Sequence, residues 1–152
     1  MKFSIDRAAL LRALAHVQSV VERRSTIPIL SNVLLKADNG ILSLATTDMD
    51  IEITEAIAAD VTKSGAITAP AVTLHDIMRK LPDTSKINLE MDPSGSFVTV
   101  KAGRSDFRLS CLPVEDFPQF GGASLPVVFS IPAADLRALI DRTKFAMSTE
   151  ET

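Results

Sequence analysis

Apolar residues recur along this chain at two different spacings, and the switches between them mark out the elements. Phe3 and Ile5 flank Ser4, which predicts a short strand over 2–5. Leu10, Ala13, Leu14, Val17 and Val21 then return every three or four positions. An amphipathic helix is therefore expected over 7–21, with Asp6 as its N-cap. Residues 29–37 form an apolar strand, Asn39-Gly40 supplies a hairpin turn, and Ile41 to Ala45 returns. From 48 to 57, Met49, Ile51 and Ile53 alternate with acids at strand period, and 66–69 reads as another strand. Pro70 opens a second helix, with Leu74, Ile77, Met78 and Leu81 on one face and Pro82 as its stop. Three more strands are expected near 86–91, 96–101 and 105–111, parted by turns at Pro93–Gly95 and Ala102-Gly103.

The order is strand, helix, several strands, and then the same again. A third copy begins near Val128, where Phe129-Ser130-Ile131 repeats Phe3-Ser4-Ile5 and Ala133 to Leu139 repeats Ala8 to Leu14. Between the copies, Pro113, Pro118, Gly121, Gly122 and Pro126 give linker composition. The expected layout is a first domain over 1–120, a linker over 121–127, and over 128–152 the opening strand and helix of a truncated second domain. The fold class is α+β: a duplicated strand–helix–strands unit, with two helices packed on curved antiparallel sheets.

Composition narrows the class. The chain has 152 residues, 46% of them hydrophobic, which suffices for a real core. No apolar run approaches the length of a membrane span, and the N-terminus lacks the apolar core of a signal peptide. With one cysteine, Cys111, no internal disulfide forms, so a cytoplasmic location is expected. The net charge of −3 and the absence of Trp and Tyr argue, taken alone, against a nucleic-acid binder. The distribution of charge makes the net value say little about partners. Residues 1–24 carry a local +3, and residues 41–62 carry five acids and no base.

Catalytic motifs are missing: there is no glycine-rich phosphate loop, HExxH, CxxC or GxSxG. His16 and His75 read as solvated helix positions and Cys111 as a core thiol. Asp48, Asp50 and Glu52 share one strand face at period two, which a divalent-metal site or a solvated outer face both explain; the solvated face is the simpler reading. No metal and no cofactor are expected. The helices say more. Arg12, His16, Ser19 and Arg23 form a stripe opposite the apolar one. Arg79 and Lys80 occupy the second helix with His75, and Arg137 the third with Asp141 and Lys144. Three equivalent helices each pair an apolar face with a partly basic one, suited to lying beside a phosphate backbone without reading sequence. Two competing readings are an interaction scaffold whose basic helices meet an acidic partner, and a metal-dependent enzyme on the three carboxylates.

Met1-Lys2-Phe3, Thr26 to Asn32, Leu42 to Asp48 and, above all, Gly103-Arg104-Ser105-Asp106-Phe107-Arg108-Leu109-Ser110-Cys111-Leu112-Pro113 with Asp116-Phe117-Pro118 resemble the bacterial sliding clamps, the beta subunits of DNA polymerase III. The resemblance runs the length of the chain. It implies a DNA-clamp fold and a non-catalytic processivity factor: two chains of three similar domains each close head to tail around duplex DNA, helices inward and sheets outward. It implies that Arg24 contacts DNA; the basic helix faces add Arg12, Arg23, Arg79, Lys80 and Arg137 as the next candidates. It implies that Phe107 and Leu109 lie on the edge strand that meets a second clamp subunit. Two family contact positions depart from the pattern, falling here on Val72 and Glu150. The polymerase catalytic subunit and the clamp loader would engage a groove between later domains, outside this sequence.

Overall fold

The opening strand of each repeat joins the other repeat's sheet, and this exchange organises the fold. The computed structural model describes residues 1–21, 26–118 and 127–148. The first repeat comprises β1 (Lys2–Asp6), α1 (Arg7–Val17), β2 (Asn32–Asp38), β3 (Ile41–Thr47) and β4 (Glu52–Ala58), with β5 (Asp60–Lys63) appended. The second comprises β6 (Gly65–Pro70), α2 (Ala71–Lys80), β7 (Lys86–Met91), β8 (Phe97–Ala102) and β9 (Ser105–Ser110). β1 pairs with β7, giving a sheet in the order β5-β1-β7-β8-β9; β6 pairs with β2, giving the order β4-β3-β2-β6. All pairings are antiparallel. Neither repeat can complete its sheet without the other. The expected α+β class and duplicated unit are what the structure has.

The core fills from both halves. Leu10, Leu14 and Val17 of α1 and Leu74 and Met78 of α2 are fully buried against Phe3, Leu35, Leu42, Leu44, Ile67, Ile87 and Leu89. Each such side chain contributes about 1.5–3 kcal/mol by leaving water. A satellite cluster of Ile29, Leu30 and Phe117, with Leu34, Ala45 and Leu112, covers part of the four-stranded sheet's other face. Thr68 pins it there. Its hydroxyl donates to the Leu112 carbonyl (2.7 Å) and accepts from the Leu112 N–H (3.0 Å).

Several boundaries differ from expectation for local reasons. α1 stops at Val17 and tightens into a 3-10 turn over Gln18–Val20. There the Ser19 hydroxyl bonds back to the His16 carbonyl (3.0 Å), and the Thr46 hydroxyl takes the carbonyl of Val17. Asp6 precedes α1 but makes no side-chain cap; the Arg7 N–H is met instead by the Ser85 carbonyl (3.0 Å). Pro28 starts a 3-10 turn, so β2 begins only at Asn32. β5, with Val61 its sole apolar residue, gives no alternation to read.

Residues Met1–Phe120 and Gly121–Thr152 separate into two compact units. Most of the expected linker, 121–126, lies outside the described residues. In the second unit, α3 (Ala133–Thr143) forms as expected, with Leu136, Leu139 and Ile140 exposed. The strand expected at Phe129–Ile131 does not form. β1, its counterpart, is held by ladders to β5 and β7, and no described strand offers 129–131 a ladder.

Candidate nucleic-acid interface

α1 and α2 pack side by side, locked by a residue whose charge looked like surface charge. The Arg7 guanidinium is nearly buried. It donates from Nε to the Met78 carbonyl (2.6 Å), from Nη2 to the Arg79 carbonyl (3.0 Å) and from Nη1 to Asp83 (2.6 Å). It thereby caps the end of α2 and fixes the start of α1 beside it. Arg7 therefore contributes nothing to a basic surface, although it counts toward the local positive charge of residues 1–24.

The exposed face of this pair carries the candidate cations. Ala8, Arg12, Ala15 and His16 are exposed along α1 and Ser19 in the turn after it, and no acid occurs between Arg7 and Val21. Arg12 makes no ion pair among the described residues. Arg79 and Lys80 are exposed at the end of α2, and Arg79 is held 3.1 Å from Asp76. His75, expected to be solvated, is only 15% exposed and sits 3.9 Å from the same Asp76, because α2 turns that position toward the packed side. His16 is exposed as expected, but its Nδ1 lies 2.7 Å from Glu55 Oε2 on β4. Arg12, Arg79 and Lys80 thus share one helical layer. In the other unit, Arg137 is 85% exposed and 3.7 Å from Asp141, which also takes Lys144 at 2.9 Å. Arg23 and Arg24 lie outside the described residues, as does Glu150.

The acids are less segregated than their run in sequence suggests. Asp48 and Asp50 precede β4 in a turn rather than sharing a strand face with Glu52. Asp48 Oδ1 accepts the N–H groups of Ile51 (2.8 Å) and Asp50 (3.0 Å), which hold its carboxyl below the usual carboxylate range, and Met49 takes a positive φ of 86°. This is a capped turn. Among the described residues, no three His, Cys, Asp or Glu side chains gather to hold a metal ion. The outer face of the five-stranded sheet mixes its charges: Lys2 pairs with Glu90 (3.1 Å) and Lys101 with Asp106 (3.6 Å). Arg108 covers the Phe97 ring at 3.8 Å.

β9 is an edge strand, as expected. Its two apolar side chains point inward. Phe107 is half-buried near Ile77, Lys80 and Leu81 of the α2 end, and Leu109 is a core residue, 9% exposed. Alternation sends 105, 107 and 109 inward and leaves Asp106, Arg108 and Ser110 outside. Cys111 is a half-buried thiol pushed up to about 11 by burial and the nearby Asp92. No described helix is long and apolar enough to cross a membrane. Among the described residues, the arrangement offers exposed cations on helices.

Comparison with known proteins places these features in one family. The model for the N-terminal domain of the DNA polymerase III beta subunit matches residues 1–121. A beta sliding clamp of Caulobacter vibrioides is 50% identical over 152 residues, covering 100% of this chain and 41% of that protein. The beta sliding clamp of Pseudomonas aeruginosa is 44% identical, covering 99% and 41%. The crystal structure of a sliding clamp from Caulobacter crescentus superposes with a TM-score of 0.93 at 50% identity, covering 100% of this chain and 41% of that one. The chain spans about two fifths of the length of these relatives.

Proposed function

Since the chain belongs to the family of DNA polymerase III beta subunits, we propose that it works as the N-terminal part of a sliding clamp. That is a non-enzymatic ring that encircles duplex DNA and tethers the replicative polymerase. The observation that carries this reading is the helical layer bearing Arg12, Arg79 and Lys80, set on sheets whose exposed charges are of mixed sign. Exposed cations on helices meet phosphates without meeting base edges, which gives binding without sequence preference. A ring retains DNA by topology, so each contact stays weak and exchangeable, as sliding requires.

The exchange of opening strands supports the head-to-tail part of the reading. It makes β9 and β4 equivalent, each the last strand of a sheet begun by the other repeat. A unit with two like edges extends at both ends. On this reading β9 meets a second clamp subunit through its backbone, with Phe107 beside the junction and Leu109 supporting it from within. Residues 127–148 are then the opening of a second domain: Pro132 precedes α3 as Pro70 precedes α2, and the stripe of Leu136, Leu139 and Ile140 suits a sheet of that domain. The polymerase and the loader engage parts of the protein beyond this sequence.

The test is DNA binding by the full-length ring. Arg24→Ala, Arg12→Ala and Lys80→Ala each lower affinity equally for unrelated duplexes and reduce the log–log salt slope by about 0.9 for each phosphate no longer neutralised. Sequence-selective binding, or binding indifferent to salt, overturns the reading. Unchanged DNA affinity in all three variants favours an interaction scaffold instead.

A further inference from the structure

His16 and Glu55 are 39 residues apart in sequence and 2.7 Å apart in space. Their contact fixes the chemistry of the imidazole. An ionised carboxylate only accepts, so Nδ1 carries a proton whether the ring is neutral or charged. Nε2 is then the atom that changes. In the neutral ring it is a bare lone pair; in the imidazolium it is an N–H donor. The His16 side chain is 64% exposed and shares the outward side of α1 with Arg12. A phosphate oxygen alongside Arg12 would meet a repelling lone pair in one state and a donor in the other.

We propose that His16 is a proton-gated phosphate contact, oriented by Glu55 as its positioning residue. The inference rests on the DNA-binding reading and adds to it a residue whose contribution depends on pH. Among the described residues the surroundings leave the gate to this pair. α1 packs on β1, β3, β4, α2 and the 3-10 turn that follows it. β3 and the turn hold no titratable side chain, and from β4 Glu55 is the acid that reaches His16. On β1, Lys2 pairs with Glu90 and Asp6 only abuts the start of α1 at Arg7, while Arg79 and Lys80 belong to the end of α2 that Arg7 caps. His75 and Asp76 pair with each other on α2. Arg12, on the same helix, stays charged throughout and serves as the reference.

The experiment is a titration of the full-length ring, labelled with nitrogen-15 at histidine and arginine, with a short duplex, followed by NMR at about pH 6 and about pH 8, the range over which imidazoles change charge. Nitrogen-15 spectra of the free protein at the higher pH are expected to show the Nδ1–H form. Duplex is expected to shift the Arg12 signals at both pH values and the His16 ring only at the lower one. There the magnitude of the log–log salt slope rises by about 0.9. His16→Gln, at an exposed position, removes that rise and leaves the binding at the higher pH. An Nε2–H form, or Arg12 shifting with an identical His16 response at both pH values, overturns the inference and leaves the DNA reading standing. If no helix-face signal moves at either pH, the DNA reading itself fails and the inference falls with it.

Discussion

Replacing Arg7 by Met isolates what the guanidinium does, because the apolar stem is retained and only the polar head is lost. The head donates to two main-chain carbonyls, Met78 at 2.6 Å and Arg79 at 3.0 Å. Both belong to the last turn of α2, where carbonyls have no partner within the helix. A hydrogen bond with one charged partner contributes about 1.5–3 kcal/mol. Relief of the desolvated cation offsets part of that. The third contact, to Asp83, counts for little, because that side chain is 89% exposed. The expected net loss is about 2–4 kcal/mol. The unit is Met1–Phe120. At about 2.1 cal/mol/K of unfolding entropy per residue, Tm falls by about 4 °C per kcal/mol, or about 8–16 °C in all. Arg7→Lys keeps the charge but not the fork, and should fall between wild type and Arg7→Met. Asp83→Asn should cost under about 0.5 kcal/mol. Thermal unfolding by circular dichroism reads all three, and amide exchange localises the loss to the end of α2. A Tm for Arg7→Met within about 2 °C of wild type would refute the argument, as would an Asp83→Asn as damaging as Arg7→Met.

Thr68→Val keeps the shape of a fully buried side chain but strips the hydroxyl that serves both main-chain groups of Leu112. Unfolding should show a loss of about 1–3 kcal/mol, with protease cleavage appearing near 112–118; an unchanged midpoint would mean that water replaces the hydroxyl. Cys111, with its pKa raised to about 11, holds roughly one thiolate in a thousand at about pH 8. Alkylation there should run on the order of a hundredfold slower than for an exposed thiol and speed up on denaturation; equal rates in folded and unfolded chain would contradict the burial. Because the folded pKa is the raised one, the neutral thiol's contribution to stability is complete below the unfolded thiol's range and is lost as pH climbs toward about 11.

How much of this was legible in the chain depends on the range of the interaction involved. α1 and α2 announce themselves because a helix is stated by its own residues: Leu10, Leu14 and Val17, or Leu74 and Met78, repeat at the period of the structure they form. The resemblance carried by the Gly103–Pro118 run supplied the family in the same local way. What escaped is what two distant segments decide together. β5 has one apolar residue and exists because β1 offers it a ladder. Arg7 reads as one more surface cation until α2 turns its last carbonyls toward it. Asp48 and Asp50 looked like members of a strand face, and the hairpin from β3 to β4 made them a turn. Glu55 shares its parity with Ile51 and Ile53, but only its register opposite Leu44 on β3 sets it within reach of His16. For the proposed function that register matters more than net charge. The Glu55 carboxylate reaches the basic face from the sheet behind it, and the pairing of β4 with β3 puts it there.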